Sequence, residues 1–307
     1  MHTLRDLECR LKNCTVHYEI RGRGKPIVML HGGGPDRRSM TGCMEPIFRN
    51  REGWRRIYPD LPGFGKTPAP EWITNSDQML DITLQFIDTV APNQHFTLVG
   101  DSYGGYIARG IIHHRPQQVS GLFLLCPAVV ADLKKRVLPK HVTLVEGGKL
   151  PTESYPQETR MFRSFAVVQT PKIFKRTLRE ILSGLKIADN KFLNRLQAHG
   201  YAFTFDVDAR VFKKPTLILV GRQDSMVGYQ DAWNILEKYP RATCAVLDQA
   251  GHNLQIEQEH LFKALVEEWL NRVESQAYFK YEQSRTLRTY AHRKDSEDMI
   301  QGSESNV

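Results

Sequence analysis

In TVHYEIR, residues 15–21, the apolar Val16, Tyr18 and Ile20 alternate with polar neighbours. A period of two fits a strand with one face on a core and the other in water. Together with the preceding LECRLKN it predicts an antiparallel pair. Further along, the alternation stops. PIVMLHG, RRIYPD, FTLVGDS, SGLFLLCP, PTLILVGRQD and TCAVLDQAGH each carry a short unbroken apolar run, as strands covered on both faces do. Helix-length segments lie between most of them, notably 78–90, 103–114, 230–238 and 254–273. Strand alternating with helix predicts an α/β fold, a mostly parallel central sheet with helices on both faces.

One gap interrupts this rhythm. From about Asp132 to Lys214 the chain runs far longer than a connection between helix and strand needs. YPQETRMFRSFAVV, PKIFKRTLREILSGL and NKFLNRLQAHG within it have helical apolar spacing. The expected organisation is a core domain from residues 1–131 and 215–274, a helical cap inserted at 132–214, and a polar tail at 275–307 that frays from a helix into disorder.

Composition changes this picture little. A chain of 307 residues, 41% hydrophobic and 25% charged, is long enough for one large globular domain with an insertion. The net charge of +8 raises the question of nucleic acid. Its densest basic groups, NREGWRR and DLKKRVLPK, are short, and no nucleic-acid motif accompanies them, so they read as solvated surface. Five scattered cysteines make no disulfide framework, and no metal-ligand spacing occurs. The opening MHTLRDLECRLKNC has no apolar signal core, and GLFLLCPAVVA is too short to span a bilayer. A cytoplasmic protein without nucleic-acid or membrane partners is expected.

The candidate chemistry gathers where strands end, at the carboxyl edge of a parallel sheet. Ser102, in LVGDSYGG, stands between a strand and a helix with glycines two residues away on either side. A sharp turn there lifts the hydroxyl free as a nucleophile; the plainer alternative is a serine that caps the next helix. A serine nucleophile needs a base. Among eleven histidines, His252 in AGHNLQIE follows the last apolar strand, with His31 as its competitor. Asp224 in GRQDSMV is the best carboxylate to orient that ring, with Asp132 and the nearer Asp248 as rivals. In LHGGGPD, the Gly33 N–H could pair with the Tyr103 N–H to receive the charge developing on a substrate oxygen.

GDSYGG, LHGGG, YPDLPGFGKT, GRQDSMV and GHNLQIE, set in the order of an α/β hydrolase from about Val16 to Val273, resemble that superfamily of lipases, esterases and peptidases. The resemblance implies a Ser102, Asp224, His252 triad, a lid in the long gap and no cofactor or metal. LHGGGP is similar to the loop of hydrolases that cleave carbon–carbon bonds in ring-cleavage products. Those have asparagine before the serine, where this chain has Asp101, and a glycine-rich continuation where it has DRRS. Prolyl aminopeptidases are similar through HGGG and PDLPGFG, but prefer tryptophan where Tyr103 stands. The leading expectation is hydrolysis of a small, fairly apolar carboxylic ester or related acyl compound. The alternatives are C–C or amide cleavage by the same triad, or a non-catalytic ligand-binding protein.

Overall fold

In the computed structural model, which describes residues 5–276, strands form on the apolar runs. They are β1 (Arg5–Arg10), β2 (Thr15–Arg21), β3 (Lys25–Leu30), β4 (Trp54–Pro59), β5 (Phe96–Asp101), β6 (Val119–Leu125), β7 (Val145–Glu146), β8 (Val168–Gln169), β9 (Thr216–Gly221) and β10 (Ala242–Leu247). Eight of them make one sheet in the order β1-β2-β4-β3-β5-β6-β9-β10. The β1/β2 and β2/β4 pairs are antiparallel and the rest parallel. This is the α/β-hydrolase architecture that the motifs imply.

Helices α1 (Arg38–Phe48), α2 (Ser76–Val90) and α3 (Tyr103–His114), with a further one at 259–276, flank the sheet. The Asn75 side chain starts α2 by accepting the Gln78 N–H, satisfying one of the donors that a helix N-terminus leaves open. Strands β3, β5, β6 and β9 are buried almost throughout. Phe123 of β6 packs against Phe262 and Trp269 of the last helix, and Trp269 donates to the Pro215 carbonyl.

Some expectations need correction. The β10 strand is an edge strand, half-buried along most of its length rather than covered on both faces. The 254–273 segment breaks at Gln258, where the backbone leaves helical geometry (φ −120°, ψ 48°) after a short helix at Leu254–Glu257. The α1 helix, which contains Pro46, was not anticipated. Arginines of the NREGWRR group serve structure: Arg56 pairs with Glu45, Arg55 donates to the Val90 carbonyl, and Arg51 pairs with Glu274. The 277–307 part of the expected tail lies outside the described residues.

Between β6 and β9 the chain forms the helices that the spacing predicted: α4 (Pro156–Phe165), α5 (Pro171–Thr177), α6 (Ser183–Leu185) and α7 (Asn190–His199). A π-helical turn at Leu178–Leu182 joins α5 to α6. The segment has its own apolar cluster, with Phe162, Phe174 and Ile181 meeting Ile256 of the main body. Burial of such side chains stabilises by roughly 1.5–3 kcal/mol each. Leu185 and Phe192 press on Gly34 and Gly63, where an added Cβ would come within 2.5 Å and 2.3 Å of them.

Candidate active site

Ser102 occupies a backbone conformation that L residues avoid, φ 51° and ψ −114°, at a cost of order 1–3 kcal/mol. The fold holds it there. Ser102 N–H donates to the Leu125 carbonyl, and its own carbonyl accepts from Tyr106 and Ala128. The turn is tight because two glycines let backbones meet. A Cβ on Gly100 would lie 2.4 Å from the Gly104 carbonyl oxygen, and one on Gly104 would lie 2.5 Å from the Leu30 and His31 oxygens. Although Ser102 stands at the start of α3, its side chain makes no capping hydrogen bond. The plain helix-cap role is thus excluded.

Asp224 lies fully buried in the turn after β9. Its Oδ1 accepts from the Met226 and Val227 N–H groups, and its Oδ2 meets His252 Nδ1 at 2.8 Å. Burial pushes this carboxyl up, but the His252 ring and the two backbone donors outweigh it and hold it below the ordinary carboxylate value. For His252 burial pushes downward, while Asp224 and then Asp101 push upward, so the ring is held above the ordinary histidine value.

The rivals fall elsewhere. Asp132 is exposed and accepts from Lys134 N–H at a 3₁₀ turn. Asp248 is exposed and accepts from Gln223. His31 is fully buried with both ring nitrogens occupied, Nδ1 on the Gly32 carbonyl and Nε2 accepting from Leu61 N–H. Burial also lowers its pKa, so His31 is a neutral brace for the glycine loop.

That loop reaches the Ser102 turn. A Cβ on Gly33 would lie 3.5 Å from the Tyr103 Cβ, so the two expected N–H donors belong to neighbouring backbones. The link between the Ser102 turn and the Asp224–His252 pair is Cys126. Its preceding residue, Leu125, receives the Ser102 N–H, and its Sγ lies within 4.8 Å of ligand atoms of both Asp224 and His252. Among the described residues no hydrogen bond joins Ser102 Oγ to the ring, and such contacts commonly tighten only on substrate binding.

Residues that the sequence reading left aside also build the site. Cys126, read as a buried small hydrophobe, is buried but adopts φ 38° beside Asp224. Glu257 accepts from Gly251, Val167 and Val168 N–H groups, tying the His252 loop to the inserted segment. Arg136, in the basic stretch read as surface, donates to the Val130 and Met226 carbonyls and stacks over Tyr201. No motif marks these three; only proximity does. Ligand atoms of Cys126, Asp224 and His252 lie within 4.8 Å of one another, and two of these residues are joined to each other by a hydrogen bond. Cavities of about 730 and 310 Å³ open on other surfaces, and neither is lined by Ser102, Asp224 or His252.

The profile of the alpha/beta hydrolase fold matches residues 25–259. A 2-hydroxy-6-oxononadienedioate/2-hydroxy-6-oxononatrienedioate hydrolase of Burkholderia vietnamiensis is 28% identical, over 84% of this chain and 91% of its own. A 2-hydroxymuconate semialdehyde hydrolase of a Pseudomonas species is 26% identical, over 83% of this chain and 90% of its own. Among solved structures, an alpha/beta superfamily hydrolase from Oenococcus oeni PSU-1 superimposes with a TM-score of 0.81 at 31% identity, covering 87% of this chain and 99% of that one. With motifs, sheet order and profile in agreement, the chain belongs to the alpha/beta hydrolase fold family.

Proposed function

We propose that this protein is a serine hydrolase in which Ser102, His252 and Asp224 act as a catalytic triad on a small, fairly apolar carboxylic ester or related acyl substrate. The observation that carries it is the 2.8 Å His252–Asp224 contact, which commits Nδ1 and leaves Nε2 to accept a proton. Ser102 Oγ attacks the carbonyl carbon as its proton passes to His252 Nε2, while Asp224 stabilises the imidazolium. The Gly33 and Tyr103 N–H groups receive the charge on the oxygen. His252 then protonates the leaving group, and a water activated by the same ring releases the acid. The inserted segment serves as a cap, a reading supported by its contacts with Gly34 and Gly63.

A second reading, cleavage of a C–C bond, is favoured by the relatives, whose names are those of dienedioate and muconate semialdehyde hydrolases. Asp101 and DRRS weigh against it. A panel of p-nitrophenyl esters, dienone acids and aminoacyl anilides separates these readings. Turnover of the esters supports the first, and fast turnover of dienone acids with none on esters supports the second. Fluorophosphonate labelling that is lost in Ser102→Ala is expected for either; an unreactive Ser102 would favour a ligand-binding protein.

A cytoplasmic setting is also proposed. Its support is that all five cysteines are free. No described helix is long and apolar enough to cross a membrane.

A further inference from the structure

Asp101, the last residue of β5, is 5% exposed, and its Oδ1 is buried without a hydrogen-bond partner. Among the described residues no other buried carboxylate oxygen lacks a partner. Asp60, 1% exposed, accepts from Arg37 N–H, the Arg37 guanidinium and Lys66 N–H. A buried polar atom left unpaired calls for a functional explanation. Its position supplies one. A Cβ built on Gly32 would lie 3.0 Å from Asp101 Oδ2 and 3.1 Å from Ser102 Cβ, so the carboxylate stands against the glycine loop one residue before Gly33.

We propose that Asp101 is a positioning residue, a second buried carboxylate that braces the glycine loop at Gly32 and favours the positively charged form of His252. The inference rests on the triad reading above. Attack by Ser102 turns the ring into an imidazolium, and a fixed negative charge nearby stabilises that charge without reorganisation. The groups that face this centre are few. Asp224 and Asp101 raise the His252 pKa and Arg136 lowers it. Burial pushes Asp101 itself up to about 6, His252 opposes that, Asp224 adds to it, and the Gly32 N–H lowers it. Cys43 and Cys126, both held as neutral thiols by burial, adjoin it. Asp101 is therefore ionised when the ring must work.

The test is the titration of His252 read by NMR of ring-labelled histidine in wild type and Asp101→Asn, beside the pH dependence of fluorophosphonate labelling and of turnover. Asparagine keeps the shape and an acceptor toward Gly32 but removes the charge. The ring should titrate at lower pH in Asp101→Asn, and the acid limb of labelling should follow it. Plateau kcat should fall by on the order of tenfold with KM unchanged. An unmoved ring titration would overturn the proposal, since a structural role alone would change stability and leave the ring alone. If Asp101→Asn does not fold, the Asp101 carboxyl carbon is followed in wild type and His252→Ala. Its midpoint should rise when the ring is removed, and an unchanged midpoint overturns the coupling. Should wild type fail to label, the triad reading falls, while the two titrations still decide whether Asp101 and His252 interact.

Discussion

His252 Nδ1 meets Asp224 Oδ2 at 2.8 Å while the other oxygen of that carboxylate is held by two backbone N–H groups, so the ring leans on an acceptor that cannot turn away. His252 is held above the ordinary histidine value of 6.5, and as the proposed base it must be neutral to accept the Ser102 proton. The acid limb of kcat/KM should thus lie above pH 6.5. Stability runs the other way: the raised His252 contributes fully below pH 6.5 and less as pH rises through its folded value. The depressed Asp224 contributes above pH 3.8 and loses that as pH falls through its own folded value. Asp224→Asn should move the acid limb down and lower kcat by about 10⁴-fold, measured by pH-rate profiles.

Replacing Ser102 separates chemistry from strain. Ser102→Ala should remove turnover by on the order of 10⁴-fold or more at little change in stability, because alanine inherits the strained backbone. Ser102→Gly should be equally inactive yet more stable by about 1 kcal/mol, since glycine adopts φ 51° freely. Denaturant unfolding of the two variants side by side provides the comparison.

Asp101 predicts a pH signature in folding. Its carboxyl rises from 3.8 to about 6 on folding, so the folded state binds more protons in that interval and stability falls as pH increases across it. The full cost at pH 7 is about 3 kcal/mol. The stability of Asp101→Asn relative to wild type should therefore grow by most of that amount, about 2.4 kcal/mol, between pH 4 and pH 7, measured by urea unfolding at each pH.

Gly104→Ala tests the turn itself. Its methyl group would meet the Leu30 and His31 carbonyl oxygens at 2.5 Å, and backbone cannot yield as a flexible side chain can. A loss of about 3 kcal/mol or more is expected, together with a fall in kcat as the Tyr103 N–H shifts. An unchanged melting temperature would contradict the geometry.

The fold, the sharp turn at Ser102 and the Asp224–His252 pair were legible because they rest on local features: apolar strand cores, GDSYGG, and single residues placed just after strand ends. The Asp224–His252 contact could be anticipated because both follow adjacent parallel strands, β9 and β10. What could not be read depends on contacts across the chain. Cys126 matters through its distance to Asp224 and His252, and Arg136 is engaged by carbonyls at 130 and 226. The edge position of β10 escaped notice because TCAVL reads as an apolar run whichever place in the sheet it takes.

Glu257 binds Gly251 with one oxygen and Val167 and Val168 with the other. The inserted segment is consequently not an interchangeable part. A chimera that imports this segment from another relative must bring two consecutive amide donors to the same spot, or the loop bearing the imidazole loses half its anchor. Recombination that parts Val167–Val168 from Glu257 would leave the Gly251 N–H as the last of the three amides on that carboxylate.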